Sequence, residues 1–216
     1  MGTKERRQRE AENRRKDILD AARKLFWENG FSGTSIPGIA REAELAPGTL
    51  YLYFPGKEAL YVELLLEGYA ILHARLAAAA RRRGSPRNRA LAVLDVFLGF
   101  AREYPAYYDI IFFLVQRERS GGWEGNFPGE AVARVRQVET ACKAIAGEAL
   151  SGLGVPPERL PETLEAVWSM LSGVIFHFGS DPGGKRVLDR ARELLVTALA
   201  AEAAEGSGAR SSSSER

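Results

Sequence analysis

Few residues in this 216-residue chain can do covalent or metal chemistry. The two histidines, His73 and His177, stand far apart, and Cys142 is the only cysteine. That leaves no zinc-ligand spacing and no internal disulfide. No nucleophile motif, phosphate loop or dinucleotide signature occurs, since Gly152-Leu153-Gly154 is too short a match and runs into Pro156-Pro157. The chain is therefore expected not to be an enzyme and to need no cofactor or metal. What remains is recognition chemistry: cations, hydroxyls and helix N-termini near the start of the chain, which suit contact with phosphate.

Charge supports that emphasis. The chain holds 30 Lys plus Arg against 28 Asp plus Glu, a net of +2. Residues 1–16 alone carry seven basic side chains (Lys4, Arg6, Arg7, Arg9, Arg14, Arg15 and Lys16) against three acidic ones, while the remainder is nearly neutral. A basic end on a neutral body fits a protein that touches phosphate at one end, although a solvated helix start gives the same count. A second cluster, Arg81-Arg82-Arg83 with Arg87 and Arg89, flanks Gly84-Ser85-Pro86 and reads as a charged helix end and turn. Apolar residues make up 45% of the chain, enough for a core. The longest unbroken apolar run, Ile110 to Val115, is far short of the ~20 residues of a membrane span. A secretory signal is not apparent, and a cytoplasmic location is expected.

The elements that must position these groups read as helix after helix, an all-α chain of about nine helices. Ile18, Ala22, Leu25 and Phe26 share one helical face, and Asn29-Gly30 is a stop. Thr34 or Ser35 can cap a short second helix ending near Glu42 or Ala43, with Pro37 in its first turn. Pro47 opens a third helix ending near Tyr53-Phe54, and a long helix runs from Lys57 to about Arg83. Pro105 to Val115 could be a strand by propensity, but the proline suits a first turn and no partner strand exists, so a buried helix is expected. Further helices are expected over about 130–150, 160–178 and 186–204, with turns at 120–129 and 181–184. The breaks divide the chain into a basic flexible arm over 1–13, a short-helix segment over 14–56, a helical body over 57–205 and a disordered tail over 206–216.

Residues 34–54 have the spacing of a helix-turn-helix, whose second helix enters the major groove. The residues sharpen that spacing. Gly30-Phe31, Thr34, Ile39-Ala40, Ala43, Gly48-Thr49-Leu50-Tyr51-Leu52-Tyr53-Phe54 and Lys57-Glu58-Ala59-Leu60 closely resemble the N-terminal region of the tetracycline-repressor (TetR) family of bacterial transcription regulators. The specific resemblance covers about residues 14–62; beyond it only the plan is similar. Ile39, Ala40, Ala43, Leu45, Leu50 and Phe54 can form the core between the two short helices. The resemblance implies that Pro47, Gly48, Thr49 and Leu52 face the groove. It places Tyr51, Tyr53 and Lys57 on phosphates, sets Thr34 and Ser35 at a helix N-terminus against the backbone, and adds Arg15 from the arm. Tyr51 and Tyr53 cannot share a helical face, so one is expected exposed and the other partly buried. Glu44 stands where the family commonly has Gly, and Ala46 where a capping Ser is frequent. A left-handed Glu44 costs roughly 1–2 kcal/mol. The third helix contains no Arg, Lys, Asn or Gln, so bidentate base readout is absent there, and specificity is expected to lean on apolar contacts, DNA shape and Arg14-Arg15-Lys16.

In the resembled family the body binds a small effector and dimerises. The apolar stripe Leu164, Trp168, Leu171, Ile175 and Phe178, together with Val187, Ala191, Leu194, Leu195 and Ala198 on the last helix, is the candidate homodimer interface; Ser169, Ser172 and Gly173 allow close approach. Candidate effector contacts are Tyr69, His73, Phe97, Phe100, Tyr104, Tyr108, Phe112, Trp168 and His177, which imply a lipophilic or aromatic ligand; Arg117 and Arg119 could meet an anionic group. The expected function is a ligand-responsive homodimeric repressor of a pseudo-palindromic operator. The alternative is a helical interaction scaffold without sequence-specific DNA binding.

Overall fold

The computed structural model describes residues 2–114, 127–179 and 184–212. Those residues are helical throughout, with nine α-helices among them: α1 (Thr3–Gly33), α2 (Ile36–Glu42), α3 (Pro47–Leu50), α4 (Lys57–Ala80), α5 (Pro86–Glu103), α6 (Pro105–Asp109), α7 (Gly129–Ser151), α8 (Leu160–Phe178) and α9 (Gly184–Ser212). None of the helices is long and apolar enough, among the described residues, to cross a membrane. The chain divides into two compact units, Met1–Gly68 with Pro105–Arg136, and Tyr69–Tyr104 with Gln137–Arg216. The division between these compact units cuts within α4 and α7.

In the first unit, α1 buries Ile18, Ala21, Ala22 and Phe26, the face expected from its periodicity. Gly30 breaks the helix with φ 71°, a left-handed conformation that costs glycine nothing. The basic arm expected over residues 1–13 is helical from Thr3. Pairs one turn apart support it, including Arg6 with Glu10 at 3.4 Å and Gln8 with Glu12 at 3.1 Å. Phe26, Phe31, Tyr61 and Phe127 form an aromatic cluster with ring centroids 5.2–6.0 Å apart.

The apolar run after Pro105 is helical, as expected, but its second half, Ile110–Leu114, winds as a π-helix. A π turn interrupts the regular backbone ladder. Beside it, the Tyr61 hydroxyl donates to the Ile110 carbonyl at 2.9 Å in a buried bond. The Arg23 guanidinium donates to the Tyr107 hydroxyl at 2.8 Å. Burial, reinforced by a hydrogen bond with Glu67, pushes the Tyr107 phenol well above its ordinary range despite that cation. Gly68 permits this packing: a Cβ there would lie 3.0 Å from both Ile111 Cδ1 and Tyr107 Cδ1.

The second unit is built on Ala90 and Leu94 of α5, Leu150 and Val155, Val167 and Leu171 of α8, and Val196 and Leu199 of α9. Ion pairs lace its surface, among them Arg87–Glu193 at 2.8 Å, Arg192–Asp95, and Lys143–Glu165 at 2.9 Å. Each contributes little at such exposure, about 0–1 kcal/mol. α4 ends at Ala80, three residues before the expected Arg83, and α9 continues through Ser212, past Gly206 where a disordered tail is expected. Residues 213–216, the 120–126 part of the expected loop, and Asp181 to Gly183 of the expected turn lie outside the described residues, as do Arg117 and Arg119.

Two outcomes follow. Thr34→Val keeps the shape of a buried side chain but deletes the hydroxyl that reaches two backbone carbonyls, so urea unfolding should show a loss of about 1 kcal/mol. Burial and Glu139 push the Cys142 thiol up to about 11. The thiolate is therefore scarce at neutral pH, and a thiol reagent at pH 7.5 should leave the folded protein unlabelled while labelling one equivalent in urea.

Candidate nucleic-acid interface

The segment from Ser35 to Phe54 is held by local chemistry at each end. The Ser35 hydroxyl caps α2 by accepting from the Gly38 N–H at 3.2 Å, and Pro37 lies in the first turn. α2 ends in paired bonds: Leu45 N–H donates to the Ala40 carbonyl at 2.7 Å and Glu44 N–H to the Arg41 carbonyl at 3.1 Å. This is the Schellman pattern, which needs a left-handed residue. Glu44 supplies it at φ 55°. The turn therefore accepts the steric cost that glycine would avoid. Ala46 provides no side-chain cap for α3, but Pro47 at its first position presets φ. Backbone bonds from Tyr51, Tyr53 and Phe54 to Pro47 and Leu50 carry the helical path past Leu50.

The small core is the expected one. Ile39, Ala40 and Leu50 are fully buried, Phe54 nearly so, and Ala43 is 9% exposed. With these turned inward, Pro47, Gly48, Tyr51 and Leu52 face solvent and Thr49 is half-buried. Leu52 is 83% exposed, the most exposed large apolar side chain among the described residues. Tyr51 is 55% exposed and Tyr53 half-buried, in line with the helical spacing. Space around Gly48 is open, with nothing within 4 Å of a built Cβ. The face that the structure assembles is thus Ser35, Pro47, Gly48, Thr49, Tyr51 and Leu52. Lys4, Arg7, Arg9 and Lys16 on α1 add exposed cations with no carboxylate partner among the described residues.

Three residues expected to contact phosphate are also engaged within the fold. Thr34 is only 4% exposed, and its single hydroxyl proton is shared between the carbonyls of Gly30 (2.7 Å) and Leu25 (2.9 Å). Lys57 also turns to the end of α1: its ammonium donates to the carbonyls of Phe31 (2.8 Å) and Thr34 (3.0 Å) and lies 4.3 Å from the Phe31 ring centroid. Arg15 donates to the Tyr53 carbonyl at 3.4 Å, pairs with Glu63 at 3.1 Å and stacks 4.2 Å from the Phe54 ring centroid. These are positioning residues that tie α1, the turn after α3 and α4 together. Sequence reasoning also missed Lys24, which pairs with Glu42 at 2.7 Å and links α1 to α2; only the tertiary fold brings these two together.

The expected effector residues are divided between the units. Tyr108 and Phe112 are buried in the first, their rings 4.7 Å apart. Tyr69, Phe97 and Phe100 are buried in the second, where Phe97 meets Trp168 edge-on at 5.1 Å and Phe100 stacks on Tyr104 at 5.5 Å. Tyr104 also lies under the Arg75 guanidinium, which pairs with Glu103. His73 and His177 are exposed and do not join these clusters. On α4, Tyr69, Leu72 and Leu76 are buried, whereas His73, one turn after Tyr69 at the edge of that face, is exposed.

The expected dimer stripe also splits. Leu171 is core, with Leu164 and Leu195 packed against it, while Ile175 is buried and Trp168 engages Phe97. Phe178, Val187 and Leu194 stay exposed at 37%, 39% and 52%, and Ala198 is exposed with them, while Ala191 is half-buried. Met170 (57%) and Phe176 (64%), which the stripe omitted, complete an exposed apolar face beside Ser169 and Gly173. Ser172 is buried.

Comparison with known proteins fits this geometry. The family described as "Bacterial regulatory proteins, tetR family" matches residues 18–64. The HTH-type transcriptional regulator UidR of Escherichia coli is 45% identical over 60 residues, 28% of this chain, and the chain spans only 31% of the length of that relative. Two solved structures share the fold over most of both chains. FadR from Bacillus subtilis in complex with stearoyl-CoA has a TM-score of 0.66 at 17% identity, covering 83% of this chain and 96% of FadR. AibR in complex with isovaleryl coenzyme A and operator DNA has a TM-score of 0.68 at 19% identity, covering 85% and 98%. Residues 18–64 thus match the tetR family of bacterial regulatory proteins, and the chain shares its fold with FadR and AibR.

Proposed function

We propose that the protein is a homodimeric transcriptional repressor that binds a pseudo-palindromic DNA operator and is released from it by a small lipophilic effector. The observation that carries the reading is the rigid exposed face at Pro47–Leu52. Folding gains nothing from an 83% exposed Leu52 next to an exposed Tyr51 and an open Gly48, whereas a DNA groove can use all three. Gly48 lets the backbone approach closely, the Thr49 methyl and Leu52 suit thymine methyls, and the Tyr51 hydroxyl can donate to phosphate. The unpaired cations of α1 add sequence-independent affinity. Arg15, Lys57 and Thr34 serve this site by fixing the helices that present it.

Homodimerisation rests on the exposed apolar face formed by Met170, Phe176, Phe178, Val187 and Leu194. Leaving so many large apolar side chains on helices α8 and α9 is costly unless a second copy covers them. The lipophilic effector rests on the aromatic packing around Phe97, Phe100 and Trp168. The acyl-CoA ligands of FadR and AibR are of the same apolar-tailed kind. Effector binding would act by shifting the population of DNA-competent dimers.

Selection from a random duplex pool should recover a pseudo-palindrome whose affinity falls steeply with salt. Leu52→Ala should weaken binding to it about tenfold without moving the unfolding midpoint. Recovery of no motif by a folded dimer would favour the scaffold reading. Met170→Glu with Leu194→Glu should give a folded monomer in sedimentation at micromolar concentration; an unchanged dimer would place the interface elsewhere.

A further inference from the structure

The arginine cluster around Gly84 has no part in the DNA-binding reading. α4 ends at Ala80, and the chain reverses through Gly84, whose φ of +151° favours glycine. The Ser85 hydroxyl then caps α5 by accepting from the Asn88 N–H at 3.2 Å. This reversal sets Arg82 and Arg83 beside Asn88 and Arg89. Together with Leu91, Ala92 and Asp95 they line an open cavity of about 210 Å³.

The charge in this cavity is uncompensated. Arg82, Arg83 and Arg89 have no carboxylate partner among the described residues. The one acid in the lining, Asp95, is already paired with Arg192, and nearby Arg87 is paired with Glu193. Arg89 spends one donor on the Gly84 carbonyl at 2.6 Å, which fixes its guanidinium over the turn and leaves its other N–H groups for a ligand. The arrangement also runs against helix electrostatics. The first turn of α5 holds no acidic residue, and Arg87 and Arg89 stand near the positive end of the dipole, where cations are disfavoured. Helix electrostatics favours Arg82 and Arg83 just past the end of α4 but gives no reason to bring Arg89 beside them. A bound polyanion supplies one, because guanidinium forks match phosphate oxygens in pairs.

We propose that Arg82, Arg83, Asn88 and Arg89 form a binding site for the phosphate groups of a small di- or polyphosphate, with Leu91 and Ala92 as an apolar floor. The volume decides what enters. Pockets for whole drug-sized ligands run to about 300–1,000 Å³. A cavity of about 210 Å³ takes a charged head group and leaves the rest of the molecule outside. The site is separate from the face at Pro47–Leu52 and does not depend on the DNA-binding reading.

The test is titration calorimetry on the full-length protein with inorganic tripolyphosphate and, separately, ADP, at physiological salt. Binding of either is expected, with affinity falling as salt rises. Whichever binds more tightly tells whether the natural ligand is an inorganic polyphosphate or a phosphate ester. The variant with Arg82→Ala, Arg83→Ala and Arg89→Ala should lose about tenfold or more in affinity. A variant with Arg6→Ala, Arg7→Ala and Arg9→Ala should keep it. The changed side chains are surface arginines, and circular dichroism should confirm unaltered folding. The proposal is overturned if neither probe binds, or if the triple variant at 82, 83 and 89 binds as well as the parent. It is equally overturned if that variant loses affinity for duplex DNA while binding the small probes unchanged.

Discussion

The N-terminal unit depends on how the end of α1 is closed. Gly30 turns the chain out of the helix. The Thr34 hydroxyl shares its proton between the Leu25 and Gly30 carbonyls, and the Lys57 ammonium donates to those of Phe31 and Thr34. Because Lys57 is the first residue of α4, closing the end of α1 also fixes where α4 begins. A cation near a helix C-terminus is electrostatically favoured there, and the Phe31 ring beneath it adds a cation–π contact. Arg15 makes a second tie between the same elements, through Tyr53, Phe54 and Glu63. The short helices α2 and α3 sit inside this frame, and that is why a helix as brief as Pro47–Leu50 can hold a defined surface. Four residues cannot be stable by propensity; tertiary contacts do the holding.

The recognition segment combines economy with strain. Glu44 takes a left-handed conformation and Ala46 leaves α3 without a side-chain cap. Both are local losses of about 1 kcal/mol. They are offset by the buried set Ile39, Ala40, Leu50 and Phe54. The result is a turn with few polar side chains and an apolar tip at Leu52. Such a surface suits contact with methyl groups and groove shape better than hydrogen-bonded base readout.

The second unit shows how one apolar stripe serves two purposes. On α8 the period of 3.6 residues sends Val167, Leu171 and Ile175 inward and Met170 and Phe176 outward. On α9 it buries Val196 and Leu199 and leaves Val187 and Leu194 exposed. Read in sequence, the two sets merge into one broad stripe. The cations of this unit are sorted in a similar way, with Arg75, Arg87 and Arg192 matched to carboxylates and Arg82, Arg83 and Arg89 left unmatched.

Local chemistry made much of this protein legible without coordinates. Helix periodicity identified Ile18, Ala22 and Phe26 as core, glycine and proline punctuation marked the breaks at Gly30 and Pro55-Gly56, and the spacing of Tyr51 and Tyr53 implied their unequal exposure. These features depend on residues within a turn or two of each other, which a linear pattern records. The roles of Thr34, Lys57 and Arg15 were not legible. A hydroxyl or cation near a helix start looks equally suited to phosphate and to a buried carbonyl, and only the fold shows which acceptor is within 3 Å. The π turn at Ile110–Leu114 and the close approach at Gly68 were hidden for the same reason. They answer to side chains such as Tyr61 and Tyr107, whose partners lie more than forty residues away in the chain. Sequence alone determined where the principal helices break and which residues carry charge; tertiary structure decided which polar groups are consumed in packing and which stay free to bind, because burial and distance are properties of the folded chain.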